Sequence, residues 1–227
     1  MNSGSSQENI FLAAMIRGAV FDADGTLLDS MHIWHELGER YLKSRGITPE
    51  EGLSRRLYPL SLEEGCEYLR EHYRLSSSLK EIERGILRII EGFYRDEVRI
   101  KPGVREFLEG LRQKNIPMVI ATSGDRELLA AALTRNGIAE YFGAVFTCGE
   151  LNTTKHEAKI FMACAEFLGL EPGNVAVFED ALFAIETAKE AGFITFGVED
   201  ASAIHDRERI KALSDHYIES FRGGIQE

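Results

Sequence analysis

Asp22-Ala23-Asp24-Gly25-Thr26, directly after the apolar run Arg17-Gly18-Ala19-Val20-Phe21, places two carboxylates and a turn at the end of a strand. On an extended backbone residues i and i+2 point to one side, roughly 6.6 Å apart at about 3.3 Å per residue, so Asp22 and Asp24 are expected to address one ligand. Gly25 permits a turn at positive φ, and Thr26 offers a hydroxyl and an N–H to an anion. A plain strand-to-helix turn, with Asp24 or Thr26 merely capping a helix, is the competing reading.

Two further apolar runs weigh against that competitor. Pro117-Met118-Val119-Ile120-Ala121 leads into Thr122-Ser123-Gly124-Asp125, and Asn174-Val175-Ala176-Val177-Phe178 leads into Glu179-Asp180. Short apolar runs followed by polar groups and then a helical pattern read as buried parallel strands of an alternating β/α chain. In such a sheet the ligand crevice lies beyond the carboxyl ends of the strands. Asp22, Asp24, Glu179 and Asp180 would then converge and repel; at an effective dielectric near 20, one like-charge pair about 4 Å apart costs roughly 4 kcal/mol. Protonation or a cation must relieve this. Hard carboxylate oxygens with few other ligands favour Mg²⁺, which keeps several waters and completes its shell from a bound phosphate. Lys155, just before the amphipathic run Ile160-Phe161-Met162-Ala163-Cys164-Ala165-Glu166-Phe167-Leu168, supplies positive charge near a helix N-terminus. An ordinary solvated lysine is the alternative there.

The order Asp-x-Asp-Gly-Thr, Thr122, Lys155, Glu179-Asp180 resembles the four motifs of the haloacid dehalogenase-like superfamily, in particular its β-phosphoglucomutase-like phosphatase branch. Around Lys155 the chain departs from that branch's Gly-Lys-Pro-x-Pro-Asp-Ile-Phe: both prolines and the aspartate are replaced in Thr154-Lys155-His156-Glu157-Ala158-Lys159-Ile160-Phe161. The resemblance implies a Rossmann-like three-layer α/β/α core with a parallel sheet and an inserted α-helical cap. It implies that Asp22 attacks phosphorus to form an aspartyl phosphate, and that Asp24 acts as general acid and then general base. Mg²⁺ would be held by Asp22, Asp24 through its carbonyl, Asp180 and Glu179, and phosphoryl oxygens by Thr122, Ser123 and Lys155. The superfamily's dehalogenase and phosphonatase branches lack the second aspartate. Asp24 therefore points to phosphate esters.

Residues 29–97 are expected to form the cap, residues 16–28 and 98–227 the core, and residues 1–15 a flexible tail. Trp34, Leu37, Tyr41 and Leu42 mark one cap helix; Leu62, Cys66, Tyr68 and Leu69 a second; Leu79, Ile82, Ile86, Ile89, Ile90 and Phe93 a third. Pro102 suits the first turn of a following helix. Further strands are expected near 143–147, 193–198 and 215–218. A cap beside an open crevice reads as a lid that selects the leaving group, with His32, Trp34, His35, Arg55, Arg56, Tyr58 and Ser61 as candidate readers. Trp34 is expected in the cap core, Arg55 and Arg56 in solvent, and Ser61 at a helix N-cap. Tyr58 and Ser61 are retained as specificity residues.

The 227 residues suffice for one core with an inserted subdomain. A formal charge of −11 without a basic block argues against nucleic acid and anionic membranes as partners. Cys66, Cys148 and Cys164 form no metal or disulfide pattern and read as reduced, buried thiols of a cytoplasmic protein. The tail lacks the basic start of a signal peptide, and its apolar patch Ile10-Phe11-Leu12-Ala13-Ala14 is too short to span a bilayer. The expectation is a monomeric phosphatase for a small phosphomonoester. A sugar-phosphate mutase is the nearer rival, but true β-phosphoglucomutases carry Lys-Gly-x-Ser-Arg where Tyr58-Pro59-Leu60-Ser61-Leu62 stands, and a histidine where Trp34 stands. A non-catalytic phospho-acceptor is the other rival; Asp24 would discharge the phosphoryl group that such a module must keep.

Overall fold

The computed structural model describes residues 16–222; the tail expected over residues 1–15 lies outside them. The described chain divides into two compact units, Ser30–Val98 and one made from the segments on either side of it.

The Ser30–Val98 unit is helical: α1 (Ile33–Ser44), α2 (Leu53–Leu57), α3 (Leu62–His72) and α4 (Leu79–Gly92), which runs on into a π-helical turn over Phe93–Glu97. Tyr41, Leu42, Leu53, Cys66, Leu69, Ile82 and Ile86 form its core. Ser61 and Ser78 begin α3 and α4 with capping boxes: each serine hydroxyl accepts from the N–H of Glu64 or Glu81, and that glutamate's carboxylate accepts from the serine N–H at 2.8 Å. One expectation is corrected here, and one element is added. Trp34 is not core; it is 46% exposed. It shares a helical azimuth with Tyr41 and Gly38 but stands in the first turn of α1, where the packing that buries those two does not reach it. The helix α2 went unanticipated because five residues are too few to display a 3.6-residue period.

The second unit holds six parallel strands: β1 (Gly18–Phe21), β2 (Met118–Thr122), β3 (Phe142–Thr147), β4 (Val175–Glu179), β5 (Ile194–Val198) and β6 (His216–Ile218), in the order β3-β2-β1-β4-β5-β6. Their connections carry α5 (Val104–Gln113), α6 (Arg126–Arg135), α7 (Cys148–Leu151), α8 (Lys159–Leu168), α9 (Leu182–Glu190) and α10 (Arg207–Leu213). This is the Rossmann-like α/β arrangement. Both faces of the central strands are buried, which is why β1, β2 and β4 read as unbroken apolar runs. Val20, Val119 and Val177 pack with Ile160, Phe161 and Cys164 of α8 and Ala184 and Ala188 of α9.

Side chains offset by one residue carry a ladder of rings. Phe21, Phe178, Phe196 and His216 stand opposite one another across β1, β4, β5 and β6. Successive ring centroids are 4.4, 4.6 and 4.6 Å apart, with interplanar angles of 8°, 20° and 17°. Phe107 of α5 meets Phe21 and Phe178 edge-on.

After β1 the chain turns through Ala23–Leu28 and is bound to the returning segment. Asp29 N–H donates to the Arg99 carbonyl and Lys101 N–H to the Leu27 carbonyl, both at 2.9 Å, around an antiparallel bridge between Leu28 and Ile100. Pro102 does not enter α5 as expected. The helix starts at Val104 with Gly103 as its N-cap at φ 89°, and a Cβ at Gly103 would overlap the backbone of Phe221.

Candidate active site

Register brings the site together. Phe21 lies opposite Phe178, and Asp22 N–H donates to the Phe178 carbonyl at 2.9 Å, so the next residues, Asp22 just past β1 and Glu179 at the last position of β4, stand side by side. Lys155, in the turn preceding α8, extends its ammonium between them. It donates to Asp22 Oδ1 and, at 2.8 Å, to Glu179 Oε2. All three groups are buried. Lys155 is thus no solvated lysine, and it reaches the site four residues ahead of the first residue of α8.

Asp180 is fixed from the first motif. Thr26 Oγ1 donates to Asp180 Oδ1 at 3.1 Å, a buried bond joining the turn after β1 to the end of β4. Gly25, at φ 84°, lies against the same carboxylate, and a Cβ there would overlap it. The glycine serves the turn and the close approach together. Thr26 therefore caps no helix; it positions Asp180. The extended geometry expected for Asp22 and Asp24 is also corrected: β1 ends at Phe21, and the Ala23 carbonyl accepts from both Leu27 and Leu28 N–H. A tight turn, not a continued strand, presents the two aspartates.

Asp24 is half-buried and faces the end of β2. A Cβ built on Gly124 would lie 3.2 Å from Asp24 Oδ2 and 3.2 Å from Thr122 Oγ1, so the carboxylate and the hydroxyl flank one small space that glycine keeps open. Thr122 is buried, and its Oγ1 accepts from Gly124 N–H at 2.9 Å. Ser123 is exposed, with its Oγ 3.5 Å from Cys148 Sγ. Tyr58 and Ser61 belong to the helical unit. Tyr58 is 62% exposed and stacks on His35 at 4.5 Å, and the Ser61 hydroxyl is engaged in the α3 cap.

Negative charge exceeds positive at this sheet end. Burial, then Glu179, Asp180 and Asp24, push the Asp22 carboxyl well above its usual range, against the pull of Lys155. Burial and Glu179 push Asp180 up to about 7. Burial alone would lower Lys155, but Asp22 and Glu179 outweigh it and keep the ammonium charged. One oxygen from each of Asp22, Glu179 and Asp180 falls within 4.8 Å of the others. Buried hard oxygens in excess of the available cation fit a divalent ion such as Mg²⁺. Glu179 contributes least to that set, because Oε2 meets Lys155 and Oε1 accepts from Ala181 N–H at 3.3 Å.

Known proteins are similar to this chain in sequence and fold. A phosphorylated carbohydrates phosphatase from Thermotoga maritima is 29% identical over 177 residues, covering 78% of this chain and 82% of its own. The validoxylamine A 7'-phosphate phosphatase of Streptomyces hygroscopicus subsp. limoneus is 26% identical over 198 residues, covering 86% and 90%. A crystal structure from Thermotoga maritima, that of a candidate beta-phosphoglucomutase, is 27% identical and superposes with a TM-score of 0.78 over 89% of this chain and 94% of that one. Residues 16–192 match the family model for haloacid dehalogenase-like hydrolases, and the chain belongs to that family.

Proposed function

We propose that the protein hydrolyses a small phosphomonoester, a sugar phosphate or similar metabolite, through an aspartyl phosphate on Asp22 with Mg²⁺ as cofactor. The observation that carries this reading is the meeting of Asp22, Lys155, Glu179 and Asp180 at the ends of neighbouring parallel strands, with more carboxylate than cation. The relatives named for phosphorylated carbohydrates and for validoxylamine A 7'-phosphate support the substrate class.

In this mechanism an Asp22 oxygen attacks phosphorus while the bond to the leaving oxygen breaks, and Asp24 gives that oxygen a proton. Asp24 then takes a proton from water; the water oxygen attacks phosphorus, releasing inorganic phosphate and restoring the Asp22 carboxylate. Lys155, Thr122 and Ser123 hold phosphoryl oxygens throughout. Asp22, Asp180 and the Asp24 carbonyl, with Glu179 beside them, would hold Mg²⁺, which when bound neutralises charge on the nucleophile and the phosphoryl group. The helical unit is assigned the role of cap, with Tyr58 and Ser61 reading the leaving group. The Ser61 part is the weaker because its hydroxyl already caps α3. Free, buried thiols at Cys66, Cys148 and Cys164 support a cytoplasmic setting, and the reading takes the chain as a monomer.

The deciding experiment is phosphate release by the purified protein with Mg²⁺ against a panel of metabolite phosphates, with Asp22→Asn as control. Release from a sugar phosphate by the wild type, abolished in a folded Asp22→Asn protein, is expected. Substantial release by Asp22→Asn removes Asp22 as nucleophile, and rearranged phosphate ester without free phosphate would make the enzyme a mutase.

A further inference from the structure

The turn at residues 153–158 carries Lys155 into the site, and little in its own sequence fixes its shape. It contains no proline to set φ, and α8 starts at Lys159 with no side-chain cap from Ala158. Hydrogen bonds within the turn run from Glu157 N–H to the Thr154 carbonyl at 3.1 Å, from His156 N–H to Thr154 Oγ1 at 3.3 Å and from the Thr153 hydroxyl to Glu157 Oε2 at 2.7 Å. Two neighbouring side chains reach out of it to the junction of β4 and α9. Lys155 Nζ donates to Glu179 Oε2 at 2.8 Å. The His156 ring stacks on that of Phe183, in the first turn of α9, with centroids 4.3 Å apart and an interplanar angle of 23°. His156 is exposed and Phe183 is 39% exposed. The stack thus spans the same two segments as the buried ion pair, one residue along the chain and at the surface.

We propose that the His156–Phe183 stack keeps Lys155 in place while the reaction removes one of the lysine's anchors; both are positioning residues that act through Lys155. The inference rests on the reading of Lys155 as a phosphoryl-binding group. In the structure its ammonium is held by the carboxylates of Asp22 and Glu179. Phosphoryl transfer to Asp22 takes away the carboxylate charge to which Lys155 is bonded, so that anchor changes within each turnover and the ammonium must turn to the phosphoryl oxygens. A lysine side chain is a flexible four-carbon stem, and where its nitrogen comes to rest depends on where its backbone is held. The ring stack takes no part in the chemistry and persists through it. Such an aromatic pair shifts a conformational equilibrium by a factor of about two to ten, and apparent affinity falls with the fraction of molecules left in the competent arrangement.

The test is calorimetric titration of the full-length chain with Mg²⁺ alone and then, at saturating Mg²⁺, with inorganic phosphate. His156→Ala and Phe183→Ala should each weaken phosphate binding by roughly two- to tenfold and leave Mg²⁺ binding no weaker than in the wild type. Both variants break one contact, so the double alanine variant should bind phosphate no more weakly than either alone. His156→Phe, which keeps a stacking ring without the imidazole nitrogens, should restore wild-type phosphate affinity. A merely structural brace for the end of β4 predicts instead that Mg²⁺ and phosphate binding weaken together. Joint weakening, a phosphate shift below twofold in His156→Ala, or a His156→Phe protein as weak as His156→Ala overturns the inference. Should Phe183→Ala fail to fold by circular dichroism, His156→Ala and His156→Phe carry the same predictions. Lys155→Ala should weaken phosphate binding at least as much as His156→Ala. Wild-type phosphate affinity in Lys155→Ala, or no phosphate binding by the wild type, overturns the reading of Lys155 itself, a failure recognised before His156 is varied.

Discussion

Lys155 is bonded to the residue proposed as nucleophile and to Glu179, but the carboxyls around it still outnumber it, and that imbalance has a measurable sign. In the metal-free protein the raised carboxyls of Asp22 and Asp180 keep protons that the unfolded chain has lost above a pKa near 3.8. Between that value and about 7 for Asp180, the folded state binds more protons, so stability falls as pH rises through the window. Lys155, raised from an already high value, stays charged throughout and adds nothing to the slope. Melting temperature in chelator should therefore decline from about pH 5 to about pH 7.5. Saturating Mg²⁺ should remove most of the decline, a ligand at a hundred times its Kd adding about 2.7 kcal/mol. A flat or rising profile in chelator would contradict the charge excess. Asp24→Asn keeps the backbone carbonyl but loses the proton carrier, so kcat should drop by about 10²–10⁴; unchanged turnover would assign the proton to another group. The acidic residues of this site could be read together from the sequence because each follows an apolar run, and the ends of such runs share one edge of a parallel sheet; Lys155, in the turn before α8, was signalled only by the amphipathic helix it precedes. Glu199-Asp200 ends β5 in the same way. The pairing of Asp200 with Lys101, by contrast, joins distant segments and leaves no local pattern to read.

Among the elements, the ring ladder has the clearest bearing on the site, since Phe21 and Phe178 immediately precede Asp22 and Glu179. A slip of one residue between β1 and β4 would turn the rings out of the stack and the carboxylates away from each other. Phe178→Ala should cost about 3–5 kcal/mol in denaturant unfolding. Phe178→Leu, which retains volume, should be milder and should keep activity; a Phe178→Leu protein that is stable but inactive would show that the rings do more than hold register. The strands themselves could be read from their apolar runs, and α4 from its period. What escaped was short or terminal. The helix α2 spans barely more than one turn, and Trp34 obeys the period yet lies beyond the packing that gives the period its meaning.

At the scale of the whole molecule, no helix among the described residues is long and apolar enough to cross a membrane. The chain's two crossings between its units lie next to each other: Leu27–Asp29 leads out, Arg99–Lys101 leads back, and two backbone hydrogen bonds of 2.9 Å join them. A chain that leaves and returns at one point makes the intervening 30–98 segment a detachable module. Replacing that segment by a few Gly and Ser residues should leave a protein that still folds cooperatively and binds Mg²⁺, as thermal melting with and without the ion would show; a molten or metal-blind product would mean the helical unit is needed to build the site. If the excised protein holds, the same junction can accept a foreign insert of different shape, so that one set of carboxylates at the sheet's edge is open to recombination with many inserted units.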